Sequence, residues 1–198
     1  MAHYFTNNED LGHENITINF TLLEEKFTLK SDLGVFSKRS LDDGTRLLLE
    51  TIGKMDFGKN ILDVGCGVGP IGLILAHLDS ERHVTMCDVN LRALDLAKTN
   101  ASLLGLESQV EIVSSDVYSN INSTFDTIVS NPPIRAGKGV TYRIYDEASQ
   151  HLNDGGKLII VIRKQQGAPS AYAHLASLFS KVEYLESHKG YKVIIAYK

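Results

Sequence analysis

Ile16, Ile18, Phe20 and Leu22 alternate with polar residues, the period-two pattern of a half-buried strand. Glu24 to Lys26 makes a charged turn, and Phe27 and Leu29 start a returning strand that ends at a second turn, Ser31 to Gly34. Residues 1–40 therefore predict a polar, flexible leader (Met1 to Asn15) followed by a small antiparallel hairpin. Ser40 with Asp43 resembles a capping box and predicts a helix start, with Leu41, Leu48 and Ile52 on one face and Gly53 as the stop. Strands are predicted at Asn60–Val64, Arg82–Cys87, Gln109–Val113 and Phe125–Val129. Between them lie an apolar helix behind Pro70 and a helix capped by Asn90, striped by Leu94, Ala97, Ala101 and Leu104 and closed by Gly105.

The second half continues with a helix around Tyr142 to Leu152, a turn at Asn153 to Gly156 and a strand at Lys157–Ile162. A helix at Ala171–Phe179 follows. Strands at Val182–Glu186 and Val193–Tyr197, joined by a loop with Lys189-Gly190, predict an antiparallel closing hairpin. Strands alternating with helices imply a doubly wound α/β fold with a mostly parallel sheet. No repeat or second domain boundary interrupts residues 41–198, and residues 1–40 read as an extension of the same domain.

Composition narrows the setting. At 198 residues, with 43% hydrophobic and 22% charged residues, the chain suits one ordinary globular domain. Met1 to Asn15 is polar and partly acidic, unlike a signal segment, and apolar runs such as Leu158 to Ile162 are too short to span a bilayer. The expected location is the cytoplasm, with no membrane partner. Cys66 and Cys87 are the only cysteines and lack ligand spacing, and no histidine pair sits at helical ligand spacing, so no metal site is expected. A net charge of −4 argues against indiscriminate nucleic-acid binding but leaves room for a local basic face.

The chain is organised around Asn60 to Gly72, a strand that breaks into Gly65, Gly67 and Gly69 before Pro70 opens a helix. Such a turn brings backbone close to a nucleotide. Gly67 to Gly72 also fits the dinucleotide pattern G-x-G-x-x-G, so the glycines alone do not choose a cofactor. Asp88, about twenty residues past that turn, is placed to take ribose hydroxyls. Asp116, at the next strand end, could accept a proton from an adenine amino group.

Asn131-Pro132-Pro133-Ile134 ends the predicted central strand beside the glycine loop. Two prolines fix the backbone there, so the Asn131 side-chain oxygen and the Pro132 carbonyl could aim at one point. Two fixed acceptors suit a planar amino group: bonds to both its N–H groups direct the nitrogen lone pair toward an electrophile without a base or metal.

With these residues in view, the sequence resembles the class I S-adenosylmethionine-dependent methyltransferases, and within them the methyltransferase small domain family, which includes ribosomal RNA guanine-N2 methyltransferases. The resemblance is carried by Gly34-Val35-Phe36-Ser37, Leu41-Asp42-Asp43-Gly44-Thr45, Asp63 to Gly69, Asp88, Asp116 and Asn131 to Ile134. It implies a Rossmann-like seven-stranded sheet with an antiparallel last strand, and S-adenosyl-L-methionine as cofactor. Asp63 with Gly65, Cys66, Gly67 and Gly69 would hold its methionine end, Asp88 and Val89 the ribose, Asp116 and Val117 the adenine, and Asn131 would border both cofactor and target amine. Asn131, Pro132, Pro133 and Ile134 would form the catalytic turn. Amino-methylating relatives often carry an aromatic residue after the two prolines, and Ile134 offers apolar contact without stacking.

Arg135, Lys138 and Arg143 follow the motif and could neutralise phosphates, with Tyr142 among them to stack a base. Lys38 and Arg39 could extend that face. The resemblance thus implies methylation of an exocyclic amine, foremost guanine N2 in small-subunit (16S) ribosomal RNA, free or within a small-subunit particle. Adenine N6, a transfer RNA or a protein glutamine are alternative acceptors. Two further alternatives are a nicotinamide-dependent oxidoreductase, for which no hydride-transfer partner is evident, and an inactive RNA-binding module, against which the intact Asp63, Asp88 and Asn131 argue.

Overall fold

The computed structural model describes residues 15–32, 40–53, 55–132 and 137–198. Residues 1–14 of the leader, Gly34 to Ser37, Lys38, Arg39, Pro133, Ile134 and Arg135 lie outside the described residues; Asn15, expected to close the leader, begins the first strand.

The N-terminal hairpin forms as its alternation predicts. β1 (Asn15–Leu22) pairs antiparallel with β2 (Glu25–Asp32), with Ile18 opposite Leu29 and Phe20 opposite Phe27. Ile18, Leu22, Phe27 and Leu29 are buried, so one face of this two-stranded ribbon is core. An isolated ribbon is marginal in water, and this one is secured by docking. Asp32 forms a buried ion pair with Arg92 of α3 (Leu91–Leu104). Asn100 of the same helix, wholly buried, accepts from the Lys30 N–H at 2.6 Å and donates to the Lys30 carbonyl at 3.0 Å. Its Nδ2 also donates to the Val68 carbonyl at 3.0 Å, so one amide ties the hairpin to the glycine loop.

The main sheet has seven strands. β3 (Asn60–Val64), β4 (His83–Asp88), β5 (Val110–Ser114), β6 (Phe125–Ser130), β7 (Leu152–Arg163), β8 (Lys181–His188) and β9 (Tyr191–Tyr197) lie in the order β5-β4-β3-β6-β7-β9-β8. All neighbours run parallel except that β9 opposes both β7 and β8. The closing hairpin and the single antiparallel last strand are therefore as expected.

Helices cover both faces. α1 (Asp43–Ile52), α2 (Pro70–His77) and α3 pack on one side with the hairpin outside them; Leu48, Ile74, Leu94, Val161 and Ile195 belong to that core. α4 (Lys138–Ala148) and α5 (Ala168–Leu178) pack on the other with Leu62, Ile128, Ile160 and Ile194. Strands buried on both faces explain why β3, β6 and β7 read as apolar runs rather than alternating ones.

Several boundaries differ from the sequence expectation; α5, for example, begins at Ala168 rather than Ala171. The cap of α1 is Asp42, not Ser40: its Oδ1 accepts from the backbone N–H groups of Gly44 and Thr45, both at 3.0 Å. α4 begins at Lys138, four residues early, and ends in a 3-10 turn over Ser149–His151. The turn expected at Asn153 to Gly156 lies within β7, where pairing with β6 shifts register between Phe125 and Thr127 and Gly155 takes φ 72°. Asp126 accepts there from Asn153 Nδ2 at 2.8 Å and from the N–H groups of Lys59 and Asn60, closing the amino ends of three strands.

Candidate functional site

The carboxyl ends of β5, β4, β3 and β6 lie side by side, and the succession of strands switches sides at β3, with β4 and β5 added on one flank and β6 and β7 on the other. Ligands of doubly wound sheets bind above such a switch point. Its floor is the loop from Gly65 to Gly69, where Gly65, Gly67 and Gly69 take φ of 73°, 57° and 88°. Residues with a Cβ rarely adopt these angles, which explains the glycine spacing physically. The Gly65 and Cys66 N–H groups donate to the Cys87 carbonyl at 2.8 and 3.0 Å, stitching the loop to the end of β4. At Gly72 a Cβ would run into Met86, so α2 sits against β4 only because that residue is glycine.

Asp63 points from β3 toward α2 and is fully buried. Its Oδ2 accepts from the Gly72 N–H at 2.9 Å, satisfying one open donor in the first turn of a helix whose cap residue, Gly69, has no side chain. Its Oδ1 is buried with no hydrogen-bond partner among the described residues. Burial, aided by the nearby Asp88 charge, pushes the Asp63 carboxyl up to about 7, against the lowering effect of the Gly72 bond. A buried carboxylate oxygen without a donor fits an incoming ammonium group.

Asp88 ends β4 with both carboxylate oxygens at work on the backbone. Oδ2 accepts from Gly67 N–H and Oδ1 from Asn90 N–H, each at 2.9 Å. It thereby joins the glycine loop to the start of α3, where Asn90 caps through Ala93 N–H as expected. Val89, half-buried, lies between the two. Cys66 and Cys87 are buried thiols, both raised mainly by burial, Cys87 to about 12, which disfavours the thiolate form.

Beyond β5, Val117 is buried and holds φ 54°, an unusual angle for a β-branched residue. Its carbonyl accepts from Ser115 Oγ at 2.9 Å, which fixes the turn. Asp116 is exposed and paired with Arg143 Nη1 at 2.9 Å, while Arg143 Nε reaches Glu147 at 3.3 Å. Arg143 thus spans two carboxylates at the edge of the site, instead of standing as a lone cation. Lys138, the first residue of α4, is exposed.

Asn131 follows β6 directly and is half-buried; Pro132 after it is buried. Ser130 Oγ donates to the Val64 carbonyl at 2.8 Å and ties the end of β6 to the end of β3. Asn131 Nδ2 donates to Asp42 Oδ1 and to Thr45 Oγ1, both at 3.1 Å. A carboxylate oxygen only accepts, so the amide nitrogen must face Asp42 and the amide oxygen must face away. Sequence reasoning placed Asp42 and Thr45 within a resembling stretch without seeing that they grip Asn131. It also missed Asn100, whose only signal is an amide in the buried stripe of a helix. Among the described residues, no group of three or more His, Cys, Asp or Glu could hold a metal, and no helix is long and apolar enough to cross a membrane.

Comparison with known proteins bears on this site. The methyltransferase small domain family model matches residues 26–195. An uncharacterized protein, YbxB of Bacillus subtilis, is 44% identical over 198 residues, covering 99% of this chain and 98% of its own. Ribosomal RNA small subunit methyltransferase C of Haemophilus influenzae is 43% identical over 141 residues, which is 69% of this chain but 42% of that protein. The Thermus thermophilus 16S rRNA N2 G1207 methyltransferase, solved with AdoMet and guanosine, superposes with a TM-score of 0.81 at 25% identity over 93% of this chain and 50% of its own. The chain therefore spans about half the length, or less, of the ribosomal RNA methyltransferases it matches.

Proposed function

The chain belongs to the methyltransferase small domain family, whose cofactor is S-adenosyl-L-methionine, and from that premise we propose that it methylates the exocyclic N2 of a guanine in small-subunit ribosomal RNA. One observation carries the reading: the Asn131 amide is held through its nitrogen, which leaves its oxygen as a fixed acceptor.

When bound, the cofactor supplies an electrophilic methyl group. The residues present fit it, since Asp63 Oδ1 offers a buried acceptor to an ammonium group beside the glycine loop. Asp63 and the loop Gly65 to Gly69 would hold the methionine end, Asp88 and Val89 the ribose, and Asp116 and Val117 the adenine. Asn131 Oδ1 and the Pro132 carbonyl accept the two N–H groups of the target amine. That contact would turn the nitrogen lone pair out of conjugation and toward the electrophile, and the nitrogen would shed one proton to solvent once it has gained the methyl group. Holding the nucleophile in line does not require a general base, because the neutral exocyclic nitrogen attacks through its lone pair and becomes acidic only after it is methylated. By the sequence resemblance Pro133 and Ile134 would belong to the same catalytic turn, and Arg135 and Lys138 would neutralise RNA phosphates. Arg143 contributes to that face through its exposed edge while anchored on Asp116.

The guanine assignment is supported by the guanosine bound to the solved relative and by the curated relatives' ribosomal RNA activity. The test incubates the protein with undermodified small-subunit ribosomal RNA and labelled S-adenosylmethionine, followed by nucleoside analysis. Label in N2-methylguanosine is the expected result. Label only in N6-methyladenosine, in transfer RNA or in a protein glutamine would replace the acceptor, and no transfer to any amine would overturn the reading.

A further inference from the structure

We propose that a second basic rim, Arg163, Lys164 and Lys189 around Tyr191, grips the RNA backbone beside Asn131, at the end of the sheet edge formed by β7, β9 and β8. The inference rests on the proposed RNA substrate and deepens it.

The rim is produced by the sheet's one antiparallel strand. β9 starts where β7 ends, so Arg163 pairs with Tyr191, and Tyr191 pairs with His188 at the end of β8. The tip of the β8–β9 hairpin therefore stands at the same edge of the sheet as Asn131. Ser130 is in register with Ile160, so Arg163 lies about 10 Å further along the strand direction, one strand to the side. These positions overhang the site and do not line its floor.

The chemistry of the rim is that of an anion contact. The Arg163 guanidinium stacks over the Tyr191 ring at 4.8 Å, which orders the side chain and leaves its N–H edge available for bidentate contact with a phosphate. Lys164 follows it and is fixed by its backbone N–H, which donates to the Gly190 carbonyl at 2.8 Å. Lys189 sits at the hairpin tip with φ 46°, where Asn or Gly is the usual choice. Arg163, Lys164 and Lys189 are exposed, and none forms an ion pair with a described residue. The one acid on this part of the hairpin, Glu186, turns to its neighbour and accepts from the Ser187 N–H. A protein of net charge −4 thus concentrates unpaired positive charge on one edge.

Tyr191 also connects the rim to the catalytic turn. A Cβ on Gly44 would stand 2.8 Å from Tyr191 Cε1, so the ring lies directly against the first turn of α1. That turn carries Asp42 and Thr45, which hold Asn131. RNA seated on Arg163 is consequently close to the acceptors without touching them. Contacts on Lys138 at the start of α4 and on this rim would hold the RNA at two places around the target base.

The test uses the full chain with Arg163, Lys164 and Lys189 all changed to alanine, beside a control in which Lys59, Lys98 and Lys181 are changed. The control removes the same charge from positions away from the rim. RNA affinity across a salt series, cofactor affinity, and single-turnover methylation at saturating RNA are measured for both and for the wild type. The rim variant should bind RNA at least about tenfold more weakly at low salt. Its slope of log affinity on log salt should be shallower by about 2, the value for three phosphates on a single strand. Cofactor affinity and the rate at saturation should persist. A wild-type slope in the rim variant, or an equal loss in the control, overturns the rim while the RNA reading stands. A wild type that neither binds nor methylates RNA overturns both.

Discussion

Asn131 Nδ2 stands 3.1 Å from Asp42 Oδ1, the same oxygen that receives the Gly44 and Thr45 N–H groups at the start of α1. A helix cap and the aim of the candidate catalytic amide therefore depend on one atom. Removing the cap alone costs about 1 kcal/mol of stability.

Asp42→Ala should slow single-turnover methylation by about tenfold or more, beyond anything that loss of stability explains, while cofactor affinity holds. Asp42→Asn keeps an acceptor at the cap and should recover most of the rate. A normal rate in a folded Asp42→Ala protein would detach α1 from catalysis.

For Asn131→Ala the loss is larger because the acceptor itself goes. Methylation should fall by at least about a hundredfold, the order seen when a positioned electrostatic contact is deleted. Separate binding assays should find cofactor and RNA affinities largely intact. Near-normal turnover would sink the mechanism even with fold and cofactor unchanged.

Asp63 predicts a pH effect with a definite sign. Its carboxyl is raised by burial from 3.8 to about 7, so the folded state holds its proton where the unfolded chain has lost it. The favourable contribution is present in full below about pH 4, erodes as pH rises toward 7, and is gone above it. Denaturant unfolding from pH 5 to 8 should show the wild type losing stability relative to Asp63→Asn. An ammonium group needs the ionised form, so affinity for S-adenosylhomocysteine should rise through the same window. Parallel curves for wild type and variant would contradict both statements.

Asp88→Ala should weaken cofactor binding by about 1–3 kcal/mol, the cost of a lost charged hydrogen-bond partner. The Gly67 and Asn90 N–H groups lose their acceptor in the same change, so calorimetry should be paired with a melting curve. Unchanged affinity in a folded variant would move the ribose elsewhere.

Asn100→Ala leaves the Lys30 N–H, the Lys30 carbonyl and the Val68 carbonyl without their shared partner. Destabilisation of about 2–4 kcal/mol is expected from stranding such groups in the interior. Chemical denaturation measures it, and a loss under about 0.5 kcal/mol would mean that water replaces the amide.

Much of the architecture was legible because its signals are local. Asn90 and Gly105 bracket α3, Pro70 opens α2, and the hairpin strands alternate. The start of α1 is harder to read because Ser40-x-x-Asp43 resembles a capping box while Asp42 is also a good cap residue, and only the bonds from the Gly44 and Thr45 N–H groups to Asp42 separate them. Gly155-Gly156 reads as a turn, yet the bulge it makes stays inside β7, since pairing with β6 resumes at Lys157. The pairing of Arg143 with Asp116 was hidden because the two lie 27 residues apart in sequence. The pairing of Arg163 with Tyr191 was hidden for the same reason: it is a cross-strand relation, with no trace in either segment alone.

The reversed strand β9 has a practical consequence. Its first residue borders the catalytic edge and its last, Tyr197, pairs with Lys181 and Lys157 at the other, roughly 20 Å away along the strand. Lys198 then returns its N–H to the Gly156 carbonyl at 3.0 Å. A fluorophore or a surface tether placed on Lys198 would report from the opposite edge of the sheet, leaving the edge that carries Asn131 unobstructed.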